Sequence, residues 1–146
     1  MMTQAILMAL KEKMKEEQKN FYDGSHITQS GEDYLEAVLM LQKKNGTVRS
    51  VDLARHMEVS KPSVSRAVAV LQQGGFLTMD SDYFLHLTGI GKEVAEKIYE
   101  RHQFFTEQLV AAGVDQETAE QEACRMEHAI SDTSFQKLKE MIQRTD

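Results

Sequence analysis

Three residues near the end of the sequence have side chains that bind transition metals. In the segment Cys124-Arg125-Met126-Glu127-His128, a helix with about 100° per residue places Cys124 and His128 roughly 40° apart and Glu127 roughly 60° to the other side of Cys124. A thiol, a carboxylate and an imidazole would then project towards one point. This mixture of sulfur, oxygen and nitrogen donors suits a borderline divalent transition metal better than Ca²⁺ or Mg²⁺.

Three more donors occur earlier in the chain. Asp33 and Glu36 lie one helical turn apart and can supply two carboxylates, and His102 can supply a second imidazole. A short Cys-x-x-Glu-His motif is weak evidence alone, because a helical Glu-His pair is often only a surface patch. The candidate metal ligands are Asp33, Glu36, His102, Cys124, Glu127 and His128.

A second pattern, between residues 50 and 75, predicts a helix-turn-helix. We expect a short helix capped by Ser50 and a tight turn filled by Val59. The inner face of that short helix is predicted from Val51, Leu53, Ala54 and Met57. Ser60 should cap the second helix, and Pro62 suits its first turn, where a missing N–H costs nothing. The buried face of that second helix is predicted from Val64, Ala67, Val68 and Leu71.

Two short strands, 76–78 and 84–87, are expected after this helix, followed by a long helix from Thr88 to Gly113. Helix, turn, helix and hairpin in this order predict a winged helix-turn-helix, whose second helix enters the major groove. Hydroxyl and cationic side chains at its start can reach phosphates and base edges. Acidic Asp80 and Asp82 at the wing tip would repel phosphate. The predicted DNA-binding residues are Arg49, Ser60, Lys61, Pro62, Ser63, Ser65 and Arg66.

The whole chain is expected to be mainly α-helical. Three regions are predicted. Residues 1–25 should form an amphipathic helix over 2–19 and a linker. Residues 26–90 should form the winged helix-turn-helix, and residues 91–146 should form a helical metal-binding and dimerisation domain. The first helix of the winged domain should be capped by Ser30 and end at Lys43 to Gly46. Its buried side is predicted from Tyr34, Leu35, Val38, Leu39 and Leu41. Two further helices are expected from Asp115 to about Ile130 and from Ser131 onwards.

The charge distribution fits these roles better than the formal net charge of −6. Residues 37–90 carry six bases and four acids, or +2, whereas residues 91–146 carry seven bases and twelve acids, or −5. The single cysteine excludes an internal disulfide. No run approaches the roughly 18 apolar residues of a membrane span, and no secretion signal is visible, so we expect a cytoplasmic protein without a membrane partner.

Between Gly31 and Met141 the sequence resembles the DtxR/MntR family of metal-dependent transcriptional repressors. The resemblance is carried by GEDYLEAV, VSKPSVSRAV, LTGIGKEVAEKIYERH and EACRMEHAISD. It implies a winged helix followed by a helical dimerisation domain, with metal bound at their junction. It further implies a homodimer that binds double-stranded operator DNA when metal is loaded and controls metal-uptake or homeostasis genes.

The resemblance also assigns the ligands. It places Asp33, Cys124, Glu127 and His128 at the primary site, and Glu36 and His102 complete a two-metal cluster. The carboxylates of α-helical Asp33 and Glu36 resemble the manganese-sensing branch, whereas Cys124 resembles the iron-sensing branch. The implied cofactor is therefore Mn²⁺ or Fe²⁺, with Co²⁺, Zn²⁺ or Cd²⁺ as substitutes in vitro. The dimer face is expected to use Phe104, Phe105, Leu109 and Ala112.

Three other functions could use parts of the same sequence. A winged-helix repressor could instead sense oxidants through Cys124 or bind a small molecule in the helical domain. A metalloenzyme using Glu127 and His128 is disfavoured, because the ligand set leaves no general base beside an open coordination position. We therefore expect no enzyme and no small-molecule substrate. A purely structural helical adaptor would leave both motifs unexplained.

Overall fold

The computed structural model describes residues 27–145. The chain divides into two compact units, residues 1–96 and 97–146, and the division falls within one helix. We call them the N-terminal unit and the C-terminal unit. The helix predicted over 2–19 and the linker after it lie outside the described residues.

Between residues 27 and 96, the described part of the N-terminal unit, the chain forms three helices and a two-stranded antiparallel hairpin, and a fourth helix begins. This order confirms the predicted mainly helical fold with a winged helix-turn-helix. The elements are α1 (Gln29–Asn45), α2 (Ser50–Met57), α3 (Lys61–Gln73), β1 (Leu77–Met79), β2 (Leu85–Leu87) and α4 (Gly89–Ala111).

The start of α1 differs from the prediction. Thr28, not Ser30, is the N-cap, and its hydroxyl accepts the N–H of Gly31 at 3.0 Å. Ser30 lies within the first turn of the helix, where its side chain cannot take the capping position. At the other end, Gly46 has φ 84° and its N–H donates to the carbonyl of Gln42, so the predicted end of the helix is confirmed.

The start of α2 also differs by one residue. Arg49 precedes the helix, and the carboxylate of Asp52 accepts its N–H at 2.8 Å, whereas Ser50 is already helical. Val51, expected on the inner face, is exposed because the buried face is formed by Leu53 and Ala54.

The turn between α2 and α3 is made by Glu58, which has the left-handed conformation with φ 57°. Val59, expected to fill this turn, is 37% exposed. Ser60 caps α3 as predicted, since its hydroxyl accepts the N–H of Ser63 at 3.2 Å. The turn thus sets the direction of α3 through backbone conformation and capping, not through a buried side chain.

The core of the N-terminal unit is mostly aliphatic. Predicted core residues of α1 and α3 are buried, while Ala67 is only half-buried. Val48 was not predicted, yet it is fully buried and its carbonyl accepts the N–H of Leu85 at 2.7 Å. The buried apolar residues include Tyr34, Leu35, Val38, Leu39, Leu41, Val48, Leu53, Val64, Val68, Leu71, Phe76, Leu77 and Leu85.

The hairpin is joined to the start of α4. In its register Leu77 lies opposite Leu87 and Met79 opposite Leu85. Thr88 then caps α4 as predicted: its hydroxyl accepts the N–H of Gly91 at 3.1 Å and donates to the carbonyl of Gly75 at 2.6 Å. These bonds hold the wing next to the helix that follows it.

The C-terminal unit consists of the remainder of α4, α5 (Gln116–Met126) and α6 (Asp132–Thr145). Asp115 and Ser131 are the predicted caps, and each accepts an N–H three residues later, at 3.0 and 3.1 Å. The hydrogen bond from the N–H of Thr118 holds the pKa of Asp115 below its usual range.

The core of this second unit is small and aromatic. Phe105, Ala123 and Phe135 are buried together, and the Phe104 ring meets those of Phe105 and Phe135 edge-on at centroid distances of 5.4 and 5.2 Å. Two of the four residues expected at a dimer face thus pack within their own unit. Within the described residues, no helix is both long enough and apolar enough to span a bilayer.

Candidate metal centre and nucleic-acid interface

The residues of the Cys-x-x-Glu-His motif were predicted to lie on one helix, and this prediction was wrong. α5 ends at Met126, and Glu127 is its C-cap with nearly helical angles, φ −62° and ψ −24°. His128 lies in the turn that follows. Cys124 and Glu127 therefore keep the predicted helical spacing, whereas the turn decides where His128 points.

Glu127 is the centre of a polar cluster in the C-terminal unit. Its side chain is fully buried, and its Oε2 lies 2.8 Å from Nδ1 of His102. Its Oε1 lies 3.4 Å from Nε2 of His128, and among the described residues no hydrogen bond reaches this oxygen. A buried carboxylate oxygen beside an imidazole nitrogen is an arrangement that a shared cation would satisfy.

The same contacts control the charge of Glu127. Burial disfavours the charged carboxylate, but the imidazoles of His102 and His128 outweigh this effect and hold the pKa of Glu127 below its usual range. An ionised carboxylate with so little access to water gains strongly from a bound cation.

Cys124 adds a sulfur donor to this cluster. Its thiol is exposed. Its Sγ, a ring nitrogen of His102 and a carboxylate oxygen of Glu127 all lie within 4.8 Å of one another. Donors that bind one Zn²⁺ at roughly 2.0–2.3 Å lie at most about 4.6 Å apart, so small side-chain movements would suffice for these three groups to share an ion. The mixed donor set fits a divalent transition metal.

The two predicted carboxylate ligands Asp33 and Glu36 belong to the other unit. They lie in the first half of α1, where Glu36 is 6% exposed and Asp33 is half-buried. Their place as ligands stays a prediction. Of the six predicted ligands, four are in the C-terminal unit and two in the N-terminal unit.

Arg101 is a residue of this region that the sequence analysis missed. Its side chain is 5% exposed, and it donates to the carbonyl oxygens of Glu127 and Ile130 at 3.1 and 2.6 Å and pairs with Asp132. The only available signal was its position directly before His102. A basic residue on a helix is usually solvated, so its type gave no reason to expect burial.

The predicted DNA-contacting residues lie on the exposed side of the N-terminal unit. Lys61, Ser65 and Arg66 are exposed at the start of α3, while Ser63 is half-buried. The hydroxyls of Ser60 and Ser63 lie 2.8 Å apart, and Arg66 reaches Ser63 at 3.5 Å. Ser60 is thus occupied as a cap, which leaves the two cations as the strongest phosphate and guanine donors.

The remaining predicted contacts flank that turn. Pro62 is exposed in the first turn of α3, and Arg49 is exposed before α2 with its guanidinium 4.3 Å from the centroid of the Phe84 ring. This cation–π contact links Arg49 to the wing. All these residues remain predicted DNA contacts.

The wing tip is organised by one of its two acids, Asp80. Oδ1 of Asp80 accepts the N–H groups of Asp82 and Phe84 at 2.9 and 3.0 Å, and its Oδ2 lies 2.8 Å from Nε2 of His86. The hydrogen bond with His86, and then the one from Phe84, hold the pKa of Asp80 below its usual range. Asp80 therefore organises the turn through its hydrogen bonds, and its repulsion of phosphate stays a prediction.

A winged-helix unit and a helical unit with a nitrogen, oxygen and sulfur donor cluster define a class: DNA-binding proteins that respond to a metal. Two family models match the chain in that order. Residues 26–83 match the N-terminal DNA-binding domain of the iron-dependent repressors, and residues 88–146 match their metal-binding and dimerisation domain.

Individual relatives agree with this match. An uncharacterized HTH-type transcriptional regulator of Methanocaldococcus jannaschii is 32% identical over 120 residues, which are 81% of this chain and 96% of that protein. The HTH-type transcriptional regulator MntR of Bacillus subtilis is 30% identical over 116 residues, 80% of this chain and 82% of that protein. The chain belongs to the iron-dependent repressor family and is a metal-dependent transcriptional repressor.

A solved structure also shares the fold. The manganese regulator SloR superposes with a TM-score of 0.70 at 25% identity, covering 77% of this chain. The chain spans about half of that protein, 53% of its length.

Proposed function

We propose that this repressor binds double-stranded operator DNA as a homodimer when it is loaded with Mn²⁺ or Fe²⁺, and that it controls genes of metal uptake or homeostasis in the cytoplasm. The observation that carries the proposal is the buried, ionised Glu127 between two imidazoles and next to a thiol. DNA binding is assigned to residues 26–90, and metal binding and dimerisation to residues 91–146. The relatives are named as transcriptional regulators, and we propose no enzymatic activity.

The ligands we propose are the six predicted ones. His102, Cys124, Glu127 and His128 are supported by the distances within the C-terminal unit. Asp33 and Glu36 are supported by the family resemblance, and they would contribute carboxylates from the N-terminal unit. A divalent cation, when bound, neutralises the negative charge of these carboxylates.

This division of ligands between two units suggests how metal controls DNA binding. When Asp33 of one unit and Glu127 of the other bind a common ion, the two units lose freedom to move relative to each other. In a dimer this would favour the arrangement in which both α3 helices match successive major grooves, roughly 34 Å apart. Metal would shift the population by its higher affinity for that arrangement.

The choice of metal depends on Cys124. A thiolate favours Fe²⁺, Co²⁺ or Zn²⁺, while the carboxylates are equally suited to Mn²⁺. SloR is described as a manganese regulator. Cys124→Ser should therefore weaken Co²⁺ and Zn²⁺ binding more than Mn²⁺ binding. Mn²⁺ and anaerobic Fe²⁺ compared in one DNA-binding titration would identify the better co-repressor.

The function is tested with DNA selected from a random-sequence pool in the presence of metal. Fluorescence anisotropy then measures binding with metal and with chelator. Glu127→Gln should abolish the metal dependence, whereas Glu122→Gln, the same change at an exposed position of α5, should preserve it. Operator binding that chelator does not reduce, or a Glu127→Gln protein that behaves like the wild type, would contradict the proposal.

The DNA-binding surface is tested separately. Arg66→Ala should bind metal normally but lose roughly 1–3 kcal/mol of operator affinity, because a guanidinium contact to a base or phosphate is removed. Arg144→Ala is the control, since Arg144 is 79% exposed at the end of α6. Equal operator affinity of both variants would exclude Arg66 from the interface.

One observation favours a second candidate function. Cys124 is an exposed free thiol, and exposed thiolates are susceptible to oxidation. An oxidant sensor would respond to peroxide and be indifferent to metal in the same anisotropy assay. Cys124→Ser would then abolish the peroxide response, whereas Glu127→Gln would leave it intact.

A further inference from the structure

The C-terminal unit buries a complete guanidinium group beside its candidate metal centre. Arg101 lies on α4 directly before His102, and its side chain is only 5% exposed. Removing such a charge from water is costly unless it is paired and hydrogen-bonded. Replacing a buried ion pair with apolar side chains of similar volume often leaves a protein equally stable. Stability alone therefore does not explain why an arginine lies here.

Those contacts are concentrated on the connection between α5 and α6. Nη1 of Arg101 donates to the carbonyl of Glu127 at 3.1 Å and to that of Ile130 at 2.6 Å, while Nη2 bonds to Oδ1 of Asp132. Lys97, one turn earlier on α4, lies 3.4 Å from the same Asp132 oxygen. The guanidinium therefore holds both ends of a connection that contains His128.

The end of a helix explains why these bonds matter. The last carbonyls of a helix lack partners within it, and α5 ends at Met126. The connection that follows contains a turn, in which the N–H of Ala129 donates to the carbonyl of Met126 at 3.1 Å. Arg101 supplies donors for two further carbonyls of this connection, those of Glu127 and Ile130. His102, the next residue, contacts the carboxylate of Glu127 at 2.8 Å. Neighbouring residues of α4 thus hold the main chain and the side chain of the same glutamate.

We propose that Arg101 is a positioning residue of the metal centre: it acts through the main chain of residues 127–130 to set where Glu127 and His128 present their donor atoms. This rests on the proposed metal-binding function. Arg101 is not a ligand, because a guanidinium has no free lone pair. Asp132 balances its positive charge, which would otherwise oppose a nearby cation.

The test is a Co²⁺ titration of the purified apo-protein, followed by the charge-transfer absorption of the Cys124 thiolate and the ligand-field bands. Arg101→Lys keeps the charge but replaces a planar fork with a single ammonium, which cannot reach both carbonyls and Asp132 together. We expect its Co²⁺ affinity to fall about 10- to 100-fold, the range found for outer-shell partners of metal ligands. The ligand-field bands of the saturated protein should also shift.

A second variant avoids the risk that a change at a buried arginine prevents folding. Asp132 is 72% exposed, so Asp132→Asn should fold, and we expect a smaller loss of affinity in the same direction. The matched control is Glu100→Gln. It removes the 2.9 Å ion pair between Glu100 and Lys139, which also joins α4 to α6 but does not touch the connection, and it should bind Co²⁺ like the wild type.

Each outcome has a defined meaning. A wild-type protein that binds no Co²⁺ would overturn the metal function and this inference with it. If the wild type binds Co²⁺ and both Arg101→Lys and Asp132→Asn show its affinity and spectrum, only the positioning role is overturned. Lower resistance to urea with unchanged Co²⁺ affinity would also overturn it, since that result is expected of a purely structural arginine.

Discussion

The two units of this repressor differ in what they bury. The N-terminal unit has an extended apolar core that reaches from α1 through α3 to the hairpin, and Glu36 is its one buried acid among the described residues. The C-terminal unit has a small cluster around Phe105 and Phe135, and beside it Arg101 and Glu127 are buried with their charges.

This difference indicates separate physical roles. Apolar burial stabilises a fold whatever ligand is present, because its free energy depends on the area removed from water. Buried charges contribute little net stability, since desolvation offsets their attraction. They do make a structure sensitive to a bound ion. We therefore expect the stability of the N-terminal unit to change little when its charged residues are mutated, and the stability of the C-terminal unit to rise when metal binds.

The largest effect is expected in the apolar core. Phe76 is fully buried, and Phe76→Ala should lower the free energy of unfolding by about 3–5 kcal/mol through lost transfer energy and a cavity. Urea unfolding measures this, and Val59→Ala, at a position that is 37% exposed, is the control. The decrease in unfolding free energy should be the same with chelator and with metal. If metal raised the stability of Phe76→Ala more than that of the wild type, the separation of roles would be contradicted.

Metal should have the next largest effect, and it should depend on the buried charges. At a free Mn²⁺ concentration of 100 times the Kd, the free energy of unfolding should rise by about 2.7 kcal/mol. Glu127→Gln should show no such rise, while Glu122→Gln should show all of it. Thermal melts with Mn²⁺ and with chelator give the comparison. Full metal stabilisation of the Glu127→Gln protein would remove Glu127 from the ligand set.

Two glycines in the first turn of α4 test how closely this helix packs against Phe76, the residue before the wing. A Cβ at Gly91 would lie 2.0 Å from the carbonyl oxygen of Phe76, whereas a Cβ at Gly89 meets nothing within 4 Å. Gly91→Ala should therefore cost roughly 1–3 kcal/mol by overpacking. Gly89→Ala should be neutral or stabilising by up to about 1 kcal/mol, because alanine favours helix. Urea unfolding curves that coincide for the two variants would refute this close approach.

The smallest effect concerns the exposed wing tip. The pKa of Asp80 lies below its ordinary value of 3.8, so its contribution to stability is present above the unfolded pKa and is lost as the pH falls through the folded pKa. The amide signal of Phe84, which donates to Asp80 at 3.0 Å, should follow this titration by NMR. In Asp80→Asn this signal should no longer follow it. A folded-state pKa for Asp80 equal to that in urea would show that the turn does not hold it.

Local signals predicted much of the N-terminal unit. Ser60 with Pro62 predicted the start of α3, and Gly46 predicted the end of α1, because caps and helix stops are decided by neighbours in sequence. The N-caps of α1 and α2 were predicted at the wrong residues, Ser30 and Ser50 instead of Thr28 and Arg49. Several polar residues lie close together at each helix start, and only the backbone conformation decides which of them precedes the helix.

The candidate centre was predicted less completely. Residue types and helical spacing were sufficient to bring Cys124 and Glu127 together. They placed His128 on the same helix, which was wrong, because they could not show that α5 ends at Met126. The resemblance supplied the ligand identities, and the contribution of Asp33 and Glu36 stays a prediction.

By itself the sequence determined the order of the elements, the family and the chemical types at the centre, since these follow from hydropathy, capping and the motifs read in order. Only the tertiary structure decided which charges lose contact with water. Arg101 and Glu127 are 26 residues apart and carry no local mark of burial. Whether a charged side chain is solvated depends on what packs against it from distant parts of the chain, and that packing determines whether it can fix a metal ligand in place.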